Sequence, residues 1–334
     1  MQNRRILFTG PQRAEVLPCE MPCIAPDEVL IETDYTVISA GTEKDNLMDT
    51  ENITHDWPKQ LGYSGSGHII EVGADVRDFK PGDRVLADHL GHFAYTKARF
   101  QRNSDGFFKI NEDIPQLDAA FVVIGSMGVQ GARKTRLQLG EAGMATGLGI
   151  LGMFALQALR NMGASPLIAV DFDAERRATA LRLGADYALS PGEGFEEAVR
   201  ALTDGRMVHA NVEATGSAAA LLQCLRVAAW EGRIALTGCT RVSDVPIDFY
   251  RMVHRPGVQL IGAHNYVRPL ADSYPGYWTR HDDFAMIIRM LKAGRFQSRP
   301  LISEILSTED APRVYRALCR EKTLPLGLVF DWHK

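Results

Sequence analysis

Gly147-Leu148-Gly149-Ile150-Leu151-Gly152 is the stretch that decides the fold. A short apolar run, Met144 to Thr146, leads into it, and a helical pattern, Leu151 to Met162, leads out, so a strand passes into a helix through a glycine turn. The first glycine permits the tight turn, the second lets a diphosphate approach the backbone, and the third lets helix and strand pack closely. The unpaired N–H groups and partial positive charge of the helix start then face the anion. Gly147, Gly149, Ile150, Leu151 and Gly152 are therefore candidate contacts for a dinucleotide. Asp171 ends the next strand, about 20 residues on, where a carboxylate can accept from ribose hydroxyls. Its charge repels a 2′-phosphate, so NAD is expected over NADP. NADP stays open because Arg176 and Arg177 follow within a turn. The plainer alternative is that Asp171 caps the helix after it.

Downstream of the glycine turn, strands at Leu167–Val170, Tyr187–Leu189, Ala210–Glu213, Arg233–Thr237 and Gln259–Ala263 alternate with helices at Ala174–Leu183, Phe195–Leu202 and Ala218–Ala229. Such alternation predicts an α/β fold with a doubly wound parallel sheet. The strand entering the turn, Ala142 to Thr146, is poor in β-branched residues and is expected to be short or frayed. Upstream, residues 1 to about 110 carry short strands (Ile6–Thr9, Val29–Thr36, His68–Val72, Arg84–Ala87, Phe93–Lys97, Phe107–Ile110) broken by Gly, Pro and Asp, a pattern that predicts a compact β-barrel. Helical periodicity begins past Pro115, at Gln116–Ile124 and Val129–Leu139. A helix at Asp282–Ala293 and a strand at Pro325–Phe330 close the chain. The expected division is residues 126–264 for the dinucleotide domain, with 1–125 and 265–334 forming a catalytic domain to which the tail returns. A cleft between two such domains is the expected substrate site.

Composition narrows the function. Of 334 residues, 46% are apolar and 23% charged, with a formal net charge of −4, so neither nucleic acid nor an anionic membrane is an expected partner. Five scattered cysteines form no disulfide framework, and with no export signal a reducing, cytoplasmic setting is expected. Ala142 to Leu159 is nearly uncharged, but its glycines and missing aromatic anchors argue against a membrane span.

Gly62-Tyr-Ser-Gly-Ser-Gly-His-Ile-Ile-Glu-Val-Gly73, then Phe79-Lys-Pro-Gly-Asp-Arg-Val85, the glycine turn and Glu213-Ala-Thr-Gly216, taken in order, resemble the medium-chain dehydrogenase/reductase family. The resemblance implies a GroES-like β-barrel catalytic domain beside a Rossmann domain. It also implies hydride transfer with NAD(P), a small-molecule substrate and a homodimer or tetramer. It adds Thr215, Gly238, His264 and Asn265 as cofactor contacts. Many members carry a catalytic zinc on a Cys before a Gly-Thr-Asp-like turn and on a His-Glu pair. Here those positions read Ala40-Gly-Thr-Glu43 and Tyr63-Ser64, and the cysteine-rich lobe for structural zinc is missing. Thiolate, imidazole and carboxylate are what zinc prefers, so no zinc is expected. Cys19 and Cys23 are expected to be buried small residues.

Without metal, another group must handle the proton that accompanies hydride transfer. Tyr63, Thr42 and Lys44 are the candidates, against the alternative that Tyr63 only packs and that Glu43, Lys44 and Asp45 are solvated turn residues. Pocket walls are expected from residues 46–60 and 269–280, with Trp57, Tyr274, Tyr277 and Trp278 as lining or contact aromatics. The expected activity is zinc-independent interconversion of a secondary alcohol, on a sugar or cyclitol, and its ketone. The rivals are an NADPH-dependent quinone or enone reductase and a dinucleotide-binding sensor without catalysis.

Overall fold

The structure, a computed structural model, describes residues 2–321 and 325–334. The chain divides into two compact units, residues 125–283 with 294–301 and residues 1–124 with 284–293 and 302–334.

The unit beginning at Gly125 is built on a parallel sheet in the order Tyr187–Leu189, Leu167–Val170, Gly143–Thr146, Val208–Glu213, Ala228–Leu236, Gln259–Gly262. The chain starts at Gly143–Thr146, winds outward through two strands, then crosses back to build the other side. The order therefore reverses beside that first strand, and Gly147 lies at its carboxyl end, where doubly wound sheets bind ligands. Gly143–Thr146 is not frayed: it is buried along its length and pairs on both sides. Its small residues have a packing reason, since a Cβ on Gly143 would stand 2.8 Å from the Ala164 methyl. Met144, Ile168, Val170, Val208, Leu225 and Ile234 join one apolar core.

Residues 265–283, expected with the barrel, belong instead to this unit. Buried ion pairs explain the correction. Asp283 accepts from Arg133 at 2.7 Å and from Arg268 at 2.5 Å, and Arg268 also donates to the Ser126 carbonyl. Gln130 donates to the carbonyls of His264 and Val267. Helix Val122–Lys134 thus ties down the segment after the last strand.

In the other unit the sheet order is Glu304–Ser307, Leu328–Asp331, Glu28–Val37, Ser64–Val72, Arg84–Asp88, Gly106–Lys109, with Tyr95–Arg99 also pairing Glu28–Val37. Asn3–Gly10 and Arg13–Cys19 form a separate hairpin. Phe8, Ile38, Leu47, Tyr315 and Phe330 fill one core, and Val29, Ile31, Ile69, Val85 and Phe107 fill a second. Two helices here fall outside the pattern read from the sequence: Ala40–Leu47 has no apolar stripe, whereas Ala311–Arg320 buries Ala311, Val314, Tyr315 and Leu318 at helical spacing behind Pro312. Cys19 is half-buried and Cys23 exposed, so they are not the pair of core residues expected. Among the described residues no helix is long and apolar enough to cross a membrane.

Candidate active site and cofactor turn

Each glycine of the turn has a distinct geometric duty. Gly147 takes φ +85°, and a Cβ there would meet the Thr215 methyl at 2.5 Å. A Cβ on Gly152 would stand 1.7 Å from the Gly147 carbonyl oxygen, so the helix can leave the strand only without a side chain. Gly149 is different: a Cβ there meets nothing within 4 Å, so this position opens outward. Gly149 is also the N-cap of helix Ile150–Met162, and no side chain caps that end. The amides of Ile150 and Leu151 are therefore left for an anion.

Asp171 accepts from the Leu148 amide at 2.7 Å and from the Asp173 amide at 2.9 Å, fixing its carboxylate against the glycine turn. It does not cap the next helix, because Asp173 does so, accepting from the Glu175 and Arg176 amides. Arg176 lies 3.8 Å from Asp171, whereas Arg177 turns back to the carbonyls of Asp171 and Phe172. Glu213 is fully buried and accepts from the amides of Thr215 and Gly216 and from the Thr215 hydroxyl. Burial holds its carboxyl above the usual carboxylate range, and those hydrogen bonds only partly offset it. Gly238 lets its loop press on the 214–216 turn, where a Cβ would come within 2.2 Å of the Gly216 nitrogen. His264 is exposed, its Nδ1 accepting from the Tyr266 amide, and the Asn265 amide oxygen accepts from Arg268.

Tyr63, Thr42 and Lys44 part company. Tyr63 follows Gly62, whose φ of +103° makes the corner before strand Ser64–Val72. Its phenol oxygen is 2.7 Å from the Ser39 hydroxyl, and its ring stacks on His89 with centroids 5.3 Å apart. His89, at φ +60°, is held through Nδ1 by the buried Asp88 carboxylate at 2.5 Å, with exposed Asp105 at 3.5 Å. Thr42 sits on the first turn of helix Ala40–Leu47, three residues from Ser39 and hence on the same face. Lys44 points elsewhere, donating to the Glu321 carbonyl at 2.7 Å. Glu43, for which a solvated turn was the alternative reading, is 1% exposed. It accepts from the Ser39 amide and from the Tyr315 hydroxyl, and lies 3.4 Å from His92 Nε2. His92 reaches Thr36 through Nδ1, and Trp332 donates to the same Thr36 hydroxyl. Burial and the Glu43 charge hold the Tyr315 phenol well above its usual range.

Ser39 and Asp88 belong to no motif in the sequence, and His89, a lone loop histidine, reads there as a hydrogen-bonded structural residue; the missing zinc lobe, which brings it close after the strand Arg84–Asp88, is the one hint. The aromatics expected to line the pocket are engaged locally. Tyr274 stacks on Tyr277, Arg133 lies 3.8 Å over Trp278, and Lys59 lies 4.3 Å over Trp57.

The donor set where relatives hold zinc does not suit that ion. Ala40 has no lone pair to give, Tyr63 is bonded to Ser39, and the Ser64 hydroxyl donates to the Ala120 carbonyl while accepting from the Ile124 amide. Asp88, His89 and Asp105 are the one group of three metal-ligand types found among the described residues, and there Asp88 and Asp105 both face the imidazole Nδ1.

A glycine turn at the reversal point of a doubly wound parallel sheet is the architecture of a dinucleotide-binding domain. The alcohol dehydrogenase GroES-like domain matches residues 25–129, and the zinc-binding dehydrogenase family matches residues 151–280. D-guloside 3-dehydrogenase of Escherichia coli (strain K12) is 25% identical over 353 residues, spanning 98% of this chain and 100% of that protein. Sorbitol dehydrogenase of Bacillus subtilis (strain 168) is 27% identical, over 71% of this chain and 74% of its own. The crystal structure of galactitol-1-phosphate dehydrogenase from Escherichia coli superposes with a TM-score of 0.84 at 20% identity, covering 98% and 99% of the two chains. The chain belongs to the alcohol dehydrogenase-like medium-chain dehydrogenase/reductase family. It is an oxidoreductase whose cofactor is a nicotinamide dinucleotide.

Proposed function

We propose that this enzyme interconverts a secondary alcohol on a sugar, polyol or cyclitol and the corresponding ketone, with NAD and without catalytic zinc, and that Tyr63 handles the proton. The donor set carries the metal-free part: no thiolate, imidazole or carboxylate stands at the positions where relatives bind the ion, and a phenol stands there instead. Bound at the glycine turn, the dinucleotide supplies the acceptor for the carbinol hydrogen and its electron pair. The chain's own residues do the rest. The Ile150 and Leu151 amides hold the diphosphate, Asp171 meets the ribose hydroxyls and disfavours a 2′-phosphate, and the Tyr63 oxygen takes the alcohol proton in oxidation and returns it in reduction. In this reading Thr42, whose hydroxyl has no bond within the described residues, orients the substrate oxygen. The sugar and polyol substrates named for the relatives support this reading over a quinone or enone reductase.

The test combines metal analysis with turnover. Purified protein should hold far less than one zinc per chain and reduce NAD with one or more members of a polyol, cyclitol and glycoside panel. Tyr63→Phe should lower kcat by about 10²- to 10⁴-fold with NADH affinity retained. Stoichiometric, chelator-resistant zinc would overturn the metal-free reading, and undiminished turnover of the phenylalanine variant would remove Tyr63 from the proton path.

A further inference from the structure

We propose that Ser39 is a positioning residue for the proton step: its hydroxyl donates to the Tyr63 oxygen and stabilises the ionised phenol. The proposal rests on the role given to Tyr63 above. Three features of the barrel unit carry it. First, Ser39 is the N-cap of helix Ala40–Leu47, yet its side chain makes no cap bond. An N-cap serine ordinarily accepts from the amide two or three residues on. Here the hydroxyl is directed instead at Tyr63, 2.7 Å away.

Second, Ser39 cannot drift. It is 5% exposed, and its own amide donates to the Glu43 carboxylate at 3.0 Å, which Tyr315 holds from the other side. The helix end is thus pinned by Glu43, leaving the serine hydroxyl free of that duty. Third, the phenol cannot drift either, because its ring lies against His89, and Asp88 fixes that imidazole. Among the described residues, the charged and titratable groups seen against the pair include Glu43 behind Ser39 and His89, Asp88 and Asp105 beside the ring.

In alcohol oxidation the substrate O–H bond breaks and its proton passes to the Tyr63 oxygen. The carbinol hydrogen leaves with its electron pair to the nicotinamide, and the C–O bond becomes C=O. Tyr63 then loses its proton to solvent. The Ser39 proton stays on Ser39 throughout, and its hydrogen bond favours the charged form of Tyr63.

Tyrosinate absorbance reads this directly on the whole protein, needing no substrate. The pH difference titration of wild type minus Tyr63→Phe isolates Tyr63, and the same subtraction on a Ser39→Ala background should place it about one pH unit higher. Ser39→Thr should restore the wild-type midpoint, and Ser39→Val, close to threonine in size, should match alanine. Thermal midpoints should fall by no more than the few degrees that one lost hydrogen bond costs, since no helix cap is lost. With an active polyol, kcat in Ser39→Ala should fall about tenfold with KM little altered, and the ascending limb of the pH profile should move upward by the same unit. An unmoved titration, or one moved downward because the phenol is the donor, would overturn the proposal. If Tyr63→Phe turns over normally while Ser39→Ala still moves the titration, the bond stands and the assignment of Tyr63 fails. If Tyr63→Phe is inactive and Ser39→Ala changes neither readout, the assignment stands and Ser39 has no such role.

Discussion

The glycine turn at 147–152 and the group around Tyr63 do opposite things with side chains. At the turn, the proposed cofactor contacts are backbone amides that become available because side chains are missing. Around Tyr63 the proposed chemistry rests on side chains converging from residues 39, 43, 63, 88 and 89, and the backbone only delivers them. The first kind of site should be hurt by adding atoms and the second by removing them.

The largest effect expected of that contrast is at Gly152. Its added methyl would overlap the Gly147 carbonyl at 1.7 Å, so Gly152→Ala should weaken NADH binding at least ~100-fold in a fluorescence titration and destabilise the protein by about 3 kcal/mol. Gly149→Ala meets nothing within 4 Å, so it should fold normally and lose affinity alone. Equal thermal midpoints for the two variants would break the comparison.

Removal should matter most at Glu43. Glu43→Ala leaves the Tyr315 hydroxyl, the Ser39 amide and His92 without their buried acceptor, a loss of about 3 kcal/mol, or roughly 6 to 12 °C in thermal midpoint. A midpoint within a degree or two of wild type would mean that the carboxylate is dispensable.

Asp171 sharpens the comparison, being a side chain that serves the backbone site. Asp171→Ser should raise NADPH affinity relative to NADH by about tenfold, ~1.4 kcal/mol, with Arg176 already 3.8 Å away to meet the phosphate. An unchanged preference would move cofactor choice elsewhere.

The smallest effect concerns Glu213. Its folded carboxyl is raised by burial, so the native state holds the proton more tightly. That contribution is fully present below the unfolded value near 4.5 and is lost as pH rises through the folded one. Thermal midpoints of wild type should therefore fall relative to Glu213→Gln as pH climbs from about 4.5 toward neutrality. Parallel curves would show that the amides of Thr215 and Gly216 fully compensate.

The same contrast explains what the sequence made legible. Leu167–Val170 and Phe195–Leu202 end where local pattern put them, because periodicity and turn residues act over a few positions. The glycine turn was legible for the same reason. Helix Ala40–Leu47 was not: it has no apolar stripe, and its anchor is Glu43, which looks solvated in sequence and is buried only because Tyr315 arrives from 272 positions away. The partner of Lys44 was equally out of reach of local pattern, since Glu321 lies far along the chain. Residues 265–283 were placed in the wrong unit because their attachment depends on paired arginines around Asp283 rather than on any local pattern.

The buried chain Glu43–His92–Thr36–Trp332 has a consequence for the order of folding. Thr36 and Trp332 stand 296 positions apart, and Arg4 reaches the Trp332 carbonyl across 328, so the ground under helix Ala40–Leu47 is complete only when distant segments have met. The glycine turn can form from neighbours in sequence, whereas this group waits on long-range closure and should be the later and slower of the two to acquire protection.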